Sequence, residues 1–272
     1  MSTPTLVCPA CRYRSGNDLH VRTLDPCVEG LSCACGATYP VIDGIPLLFR
    51  DLDAWLAGEG AEALRRQDLA GPLEARVLRG AGGPLARNAS LATVYAASRH
   101  GPLQDWLRAA VDAAPGPVLE LGCGLGATDR ADVVGLDHNL ALLRRHTGAR
   151  ICADAADPPF LPSTFSTVVV ANVLDSCADP ALVLAQADAL LAPGGRLIVS
   201  CAYAFQDEIT HRSRRFTADQ LLTALQGGGP LGGYRFDHRV IEAIDRLPWP
   251  IRLSDRTTHV HEAQAIISLK QT

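Results

Sequence analysis

The sequence predicts an α/β fold in which an open, parallel sheet follows a small cysteine-rich segment. Three observations carry this reading. Apolar, often β-branched runs at 117–121, 133–136, 150–153 and 164–172 have the continuous character of strands buried on both faces. Stretches of helical pattern alternate with several of them. Five of the nine cysteines crowd between Cys8 and Cys35, ahead of all these runs.

The bulk composition narrows the function. A chain of 272 residues with 47% hydrophobic and 20% charged content can bury a full core. Its net charge of −4 weighs against a dedicated nucleic-acid binder. No apolar run has membrane-spanning length, and the start MSTPTLVCPAC lacks the features of a signal peptide. The expected location is the cytoplasm, without a membrane partner. There, clustered cysteines point to metal before disulfide.

Residues 1–50 form the first expected unit. Cys8-Pro9-Ala10-Cys11 and Cys33-Ala34-Cys35 are short cysteine turns separated by 21 residues. Brought together, they offer four thiolates to one structural zinc ion, which would supply folding energy that so short a segment lacks. The second pair has one spacer instead of two, and Cys27 is a spare thiol able to replace a member. Thr38 to Ile42 reads as a strand, Asp43-Gly44 as a turn and Ile45 to Phe49 as a second strand.

Residues 51–84 read as a helical linker, with helix over Asp53 to Leu69 and breaks at Gly71-Pro72 and Gly80 to Pro84. The main domain is expected at 85–272. Helical pattern resumes from Asn88 to Ala113, interrupted at Gly101-Pro102, and Pro115-Gly116-Pro117 stops it. Tyr95, Arg99 and His100 on this stretch are candidates to roof a ligand cleft.

The first sheet strand, Pro117 to Leu121, ends in the turn Gly122-Cys123-Gly124-Leu125-Gly126. Three glycines at alternate positions imply a sharp turn that something approaches closely. The next strand, Val133 to Leu136, ends in Asp137, placed to accept from a ribose diol. Only ten residues, Gly122 to Ala131, join the two, too few for a full crossover helix. His138-Asn139 caps a helix over Leu140 to His146, and Arg150 to Ala153 is the third strand, leading to Asp154. The fourth strand ends at Asn172, with Asp175 just beyond. Asp179-Pro180 starts a helix through Leu190, and Arg196 to Ser200 is the fifth strand. Thr217 to Gln220 begins a helix and Gly227 to Gly233 is a loop. Strands around 236–244 and 259–269 finish the chain, with Leu247-Pro248-Trp249-Pro250 between them.

Gly122, Gly124 and Ala127 also satisfy the dinucleotide pattern G-x-G-x-x-(G/A). Asp137 comes too early for it, however, and the helix that should face a pyrophosphate is missing. A cationic sulfonium cofactor suits such a site better.

Two resemblances follow. Leu31 to Leu48, with Tyr39-Pro40-Val41-Ile42-Asp43-Gly44-Ile45-Pro46, is similar to the end of small zinc-ribbon proteins that accompany methyltransferases. Glu120 to Gly126, Val134 to Asp137, Asp154-Ala155, the fourth strand and Leu191-Ala192-Pro193-Gly194-Gly195 resemble class I S-adenosylmethionine-dependent methyltransferases over residues 85–272. That family implies a Rossmann-like, seven-stranded, mostly parallel sheet with an antiparallel last strand. It also implies a cofactor site. Gly122, Cys123, Gly124 and Gly126 would hold the methionine part, with Glu120 ordering the loop or reaching the ammonium. Asp137, with His138 beside it, would bind the ribose, and Asp154 and Ala155 the adenine. Asn172 and Leu174 would line the methyl side. The short first crossover departs from the family pattern.

Methyl transfer is an in-line displacement helped by alignment and desolvation, and a base is needed only if the nucleophile must lose a proton. Candidates near the strand ends are Asp175, His138, His100 and Tyr95. The tail Asp245 to Arg252 is similar to that of small-molecule methyltransferases, which favours a small acceptor. Ribbons fused ahead of this fold also occur in an rRNA methyltransferase, so RNA is the alternative acceptor. A non-catalytic scaffold that engages a protein partner through the ribbon is the alternative of another class.

Overall fold

The computed structural model describes residues 4–15, 18–59 and 96–271. The N-terminal segment contributes β1 (Tyr13–Ser15), β2 (Asp18–His20), β3 (Asp25–Cys27), β4 (Gly30–Ser32), β5 (Thr38–Ile42) and β6 (Ile45–Leu48), then α1 (Leu52–Glu59). The rest comprises α2 (Pro102–Asp112), β7 (Val118–Leu121), β8 (Val133–Asp137), α3 (Leu140–Leu143), β9 (Ala149–Ala153), β10 (Phe165–Ala171), α4 (Pro180–Leu190), β11 (Leu191–Cys201), α5 (Ala218–Leu225), β12 (His238–Ser254) and β13 (Thr257–Lys270).

Seven strands form the main sheet in the order β9-β8-β7-β10-β11-β13-β12, with β13 antiparallel to both neighbours. This is the expected arrangement, but the sheet does not stop at seven. Strand β6 pairs in parallel with β9, with Leu47 opposite Cys152 and Leu48 opposite Ala153, and β5, β4 and β3 continue to an eleventh strand. The physical reason is the exposed edge that β9 would otherwise present, which β6 covers. The ribbon is therefore part of the same sheet.

Both faces of the main sheet are covered, as its near-continuous apolar strands require. On one side, Leu103, Leu107 and Val111 of α2 pack on Val118, Val133, Val169 and Ile198. On the other, Ala181, Val183, Leu184 and Leu190 of α4 and Leu221 of α5 pack on Leu119, Leu121, Val168 and Val170. Asp179 caps α4 by accepting from the Leu182 N–H at 3.2 Å. Thr217 and Gln220 close a reciprocal capping box on α5. A third cluster joins Ile45, Leu47, Phe49, Leu52 and Leu56 to Cys123, Leu140 and Cys152.

Other local expectations meet corrections. The connection over residues 122–132 is not among them, since it holds no helix, as its short length implies. The helix expected to reach His146 ends at Leu143. The segment around Leu247 to Pro250, expected between the last two strands, lies inside β12. Its prolines are tolerated because β12 is the edge strand, where a missing N–H breaks no ladder. Bulges at Val240/Glu242 and Ile244/Leu247 absorb the irregularity. The helix expected over 53–69 is seen at Leu52–Glu59, and 60–69 lies outside the described residues, as do the breaks at 71–72 and 80–84 and the stretch 88–95.

Leu47 is fully buried at the seam. Leu47→Ala is expected to cost about 2–5 kcal/mol. Urea denaturation followed by circular dichroism should show one lowered transition. A separate early transition, with the rest unchanged, would contradict a shared sheet.

Candidate active site

The ends of the parallel strands converge on the glycine turn after β7. Gly122, Gly124 and Gly126 have φ of 65°, 54° and 85°, a left-handed region that favours glycine. At Gly122 packing also forbids a side chain, since a Cβ would lie 2.2 Å from a Val173 methyl. At Gly124 a Cβ would meet only Leu142, at 3.9 Å, so the space over that backbone is open.

Two buried carboxylates hold the turn. Glu120 accepts from the Ala127 N–H at 3.1 Å. Asp137, at the end of β8, accepts from the Gly124 N–H at 2.8 Å with one oxygen and from the Asn139 N–H at 2.8 Å with the other. The Cys123 N–H donates to the Leu136 carbonyl at 3.0 Å, and the Cys123 thiol is buried beneath the turn. Burial pushes Glu120 up to about 7, with repulsion from Asp137 adding to it, against the lowering effects of the Ala127 N–H and Arg99. Arg99, one of the expected roof residues, reaches the Gly126 carbonyl at 3.4 Å.

Around the next strand ends, His138 is exposed and its ring lies 3.7 Å from Asp137. Asp154 is exposed and accepts from the Ala156 N–H at 2.8 Å, with Ala155 half-buried between them. The loop they begin is tied to the ribbon. Arg12 donates to the Pro158 carbonyl and to Gln186, and Arg12 and Arg50 both pair with Asp157. At the end of β10, Asn172 has φ of 52° and accepts from the Ser200 hydroxyl at 3.1 Å. Leu174 is buried, and so is Asp175, which accepts from the Ala204 N–H at 3.0 Å. His100 is exposed just ahead of α2. Tyr95 lies outside the described residues.

Sequence reasoning missed several neighbours. Tyr203, with φ of 56°, donates to Gln264, and its ring forms a triad with Phe205 and Phe216 at centroid distances of 5.9–6.4 Å. Two left-handed non-glycine residues at adjacent strand ends mark a strained, over-determined region of the kind found at functional sites. The signal available in sequence was the pair of aromatics just past the fifth strand. His146 lies beneath the glycine turn, its Nδ1 accepting from the Gly148 N–H at 3.0 Å. Nothing local in the sequence reveals that position.

The ribbon cysteines form a compact group. The sulfurs of Cys8, Cys11, Cys33 and Cys35 all lie within 4.8 Å of one another. The separations Cys8–Cys35 and Cys11–Cys33 are 3.8 and 3.7 Å. A tetrahedron with zinc–sulfur bonds of about 2.3 Å has edges of roughly 3.8 Å. The tight C-x-C turn is closed by the Gly36 N–H donating to the Cys33 carbonyl at 2.9 Å, with Gly36 at φ of 91°. Cys27 is exposed on β3 and outside this group.

Residues 119–199 match the methyltransferase domain family. The match is to a methyltransferase domain and takes in 81 of the 272 residues. The match begins inside β7 and ends within β11, so the domain contains the glycine turn, Asp137, Asp154, Asn172 and Asp175. No curated protein matches the chain at a significant level. Among solved structures, the chain is similar to a chain of a Haloferax volcanii complex containing the Trm112 methyltransferase activator. The identity is 16% over 69% of this chain and 100% of that one, with a TM-score of 0.46. It is also similar to a SAM-dependent methyltransferase of Thermotoga maritima (15%, 67% and 96%, TM-score 0.46). A third is the N-methyltransferase NodS of Bradyrhizobium japonicum (14%, 62% and 93%, TM-score 0.43). Likenesses this weak say nothing about the acceptor. Among the described residues, no helix is long and apolar enough to cross a membrane.

The Glu120 carboxyl has a consequence for stability. Its folded value, about 7, lies above the ordinary 4.5, so the folded chain holds a proton that the unfolded chain has lost over that interval. Stability from this group is therefore lost as pH rises from about 4.5 to about 7, by up to roughly 3 kcal/mol. Glu120→Gln removes this dependence. The stability of the variant relative to the parent, measured by denaturation at several pH values, is expected to rise across that window. A flat difference would contradict the burial argument.

Proposed function

We propose that the chain transfers the methyl group of S-adenosylmethionine to a small-molecule acceptor. The observation that carries this reading is the meeting of Glu120, the open glycine turn and Asp137 at adjacent strand ends, with Asn172 and Asp175 at the next. Residues 122–126 and Glu120 would hold the methionine part, Asp137 with His138 beside it the ribose hydroxyls, Asp154 and Ala155 the adenine, and Asn172 and Leu174 the methyl side. The open backbone at Gly124 and the buried carboxylates suit a ligand with an ammonium and a diol. The cofactor supplies a methyl group already activated on a sulfonium.

The chain's own task is to align and desolvate. Asp137 and Glu120 fix the turn before any ligand arrives, so little reorganisation is needed on binding. Asp175, buried and oriented by the Ala204 N–H, is placed to receive a proton from an acceptor nucleophile. His138 and His100 are exposed and so less restrained for that task. The Tyr203, Phe205 and Phe216 triad gives the acceptor side an apolar wall. An aromatic setting suits a small molecule, and the net charge of −4 favours a small acceptor over RNA. The ribbon edge that would serve a scaffold, β6, is paired in cis with β9.

Titration calorimetry with S-adenosylmethionine is expected to show one site per chain, with Asp137→Ala weakening it at least tenfold. Label from a tritiated methyl donor should enter the small-molecule fraction of a cell extract. Label in RNA would overturn the acceptor assignment, and absence of cofactor binding would leave only the scaffold role.

We also propose that Cys8, Cys11, Cys33 and Cys35 hold one structural zinc ion. Purified protein is expected to contain one zinc per chain, kept in Cys27→Ser and lost in Cys35→Ser, with a lower melting temperature in the latter. Loss of metal from Cys27→Ser instead would contradict this ligand set.

A further inference from the structure

The N-terminal extension reaches the strand ends where the adenine is placed above, and this inference rests on that reading. Strand β6 runs parallel to β9 with Leu48 opposite Ala153, so Phe49 emerges beside Asp154. The chain turns at once into α1, and the Trp55 indole N–H donates to the His138 carbonyl at 3.0 Å. One face of the indole stacks on Phe49, with ring centroids 4.8 Å apart and planes 15° apart. Phe49 is buried, while Trp55 stays half-buried. An aromatic ring is thus fixed by one hydrogen bond and one stacked neighbour, and it keeps part of its surface accessible.

The position matters because His138 and Asp154 flank it, and neither is a large apolar residue. Both are exposed, so the catalytic domain's own residues leave this end of the site polar and open. A purine has two apolar faces, and an aromatic ring offers one of them a stacking surface that no polar side chain supplies. We infer that Trp55 forms the adenine wall of the cofactor site, supplied by the segment that follows the ribbon. In this arrangement Phe49 is a positioning residue, which backs the indole and does not touch the ligand. Cys123 of the glycine turn shares a buried cluster with Phe49 and Trp55, so the wall and the methionine cradle are packed as one unit.

The test is binding of S-adenosylhomocysteine and of 5′-methylthioadenosine, which lacks the amino-acid part, to the full chain. Trp55→Leu is expected to weaken both at least tenfold, and Trp55→Phe to retain most of the affinity. Unchanged affinity in Trp55→Leu would overturn the inference and leave the proposed function standing. Failure of the parent chain to bind either ligand would overturn both. If Trp55→Leu also lowers the melting temperature, the direct readout decides. With Trp106→Phe and Trp249→Phe, Trp55 is the sole tryptophan. Its fluorescence is expected to be quenched by 5′-methylthioadenosine, whereas an unaltered spectrum at saturation would show that Trp55 only staples α1 to the sheet.

Discussion

The parallel pairing of β6 with β9 is the interaction on which the arrangement depends. It is short, but it joins two parts of the chain about 100 residues apart. A parallel pair needs its partner delivered in the right direction, which a hairpin cannot do. The β5–β6 hairpin therefore has to be turned and held before β6 can lie against β9. The four-cysteine group, the Leu6–Phe160 bridge and the Arg12 contacts to the 157–158 loop all fix that hairpin in place. Once it is fixed, Phe49 and α1 follow at the carboxyl ends of the strands, where ligands bind in open sheets of this kind.

The second constraint is electrostatic. Glu120 and Asp137 are both buried beside a turn whose backbone N–H groups need acceptors. Each carboxylate meets such a need, and their mutual repulsion raises Glu120 further. A polar cluster of this kind is costly to bury unless a ligand group with the opposite charge completes it. In the proposed site, the same side chains that stiffen the turn would also meet the ammonium of the ligand. In the absence of a crossover helix, the turn is held by these two acceptors instead of by packing against a helix.

Much of this was legible in the sequence because it is local. Alternating glycines after an apolar strand, an acid at the next strand end and paired cysteines are short patterns with direct physical meaning. What was not legible depends on distant partners. Nothing near Leu47 says that it will face Cys152, and nothing near Trp55 names the His138 carbonyl. The register of β6 on β9 is set by burial of Ile45, Leu47 and Phe49 against residues far along the chain. The long β12 misled for another reason. Two prolines in three residues read as a break, and only the knowledge that this strand is the sheet's edge makes them compatible with pairing.

The central claim is that the ribbon extension and the glycine turn make one cofactor site. Amide hydrogen exchange on the full chain, with and without S-adenosylhomocysteine, tests it most directly. The account requires coordinated protection at 122–127, at 137–139 and at 49–56. Protection of the first two segments with 49–56 unchanged would detach the ribbon from the site. Protection confined to the cleft between α5 and the 228–232 loop, with 122–127 and 137–139 unchanged, would contradict the account as a whole.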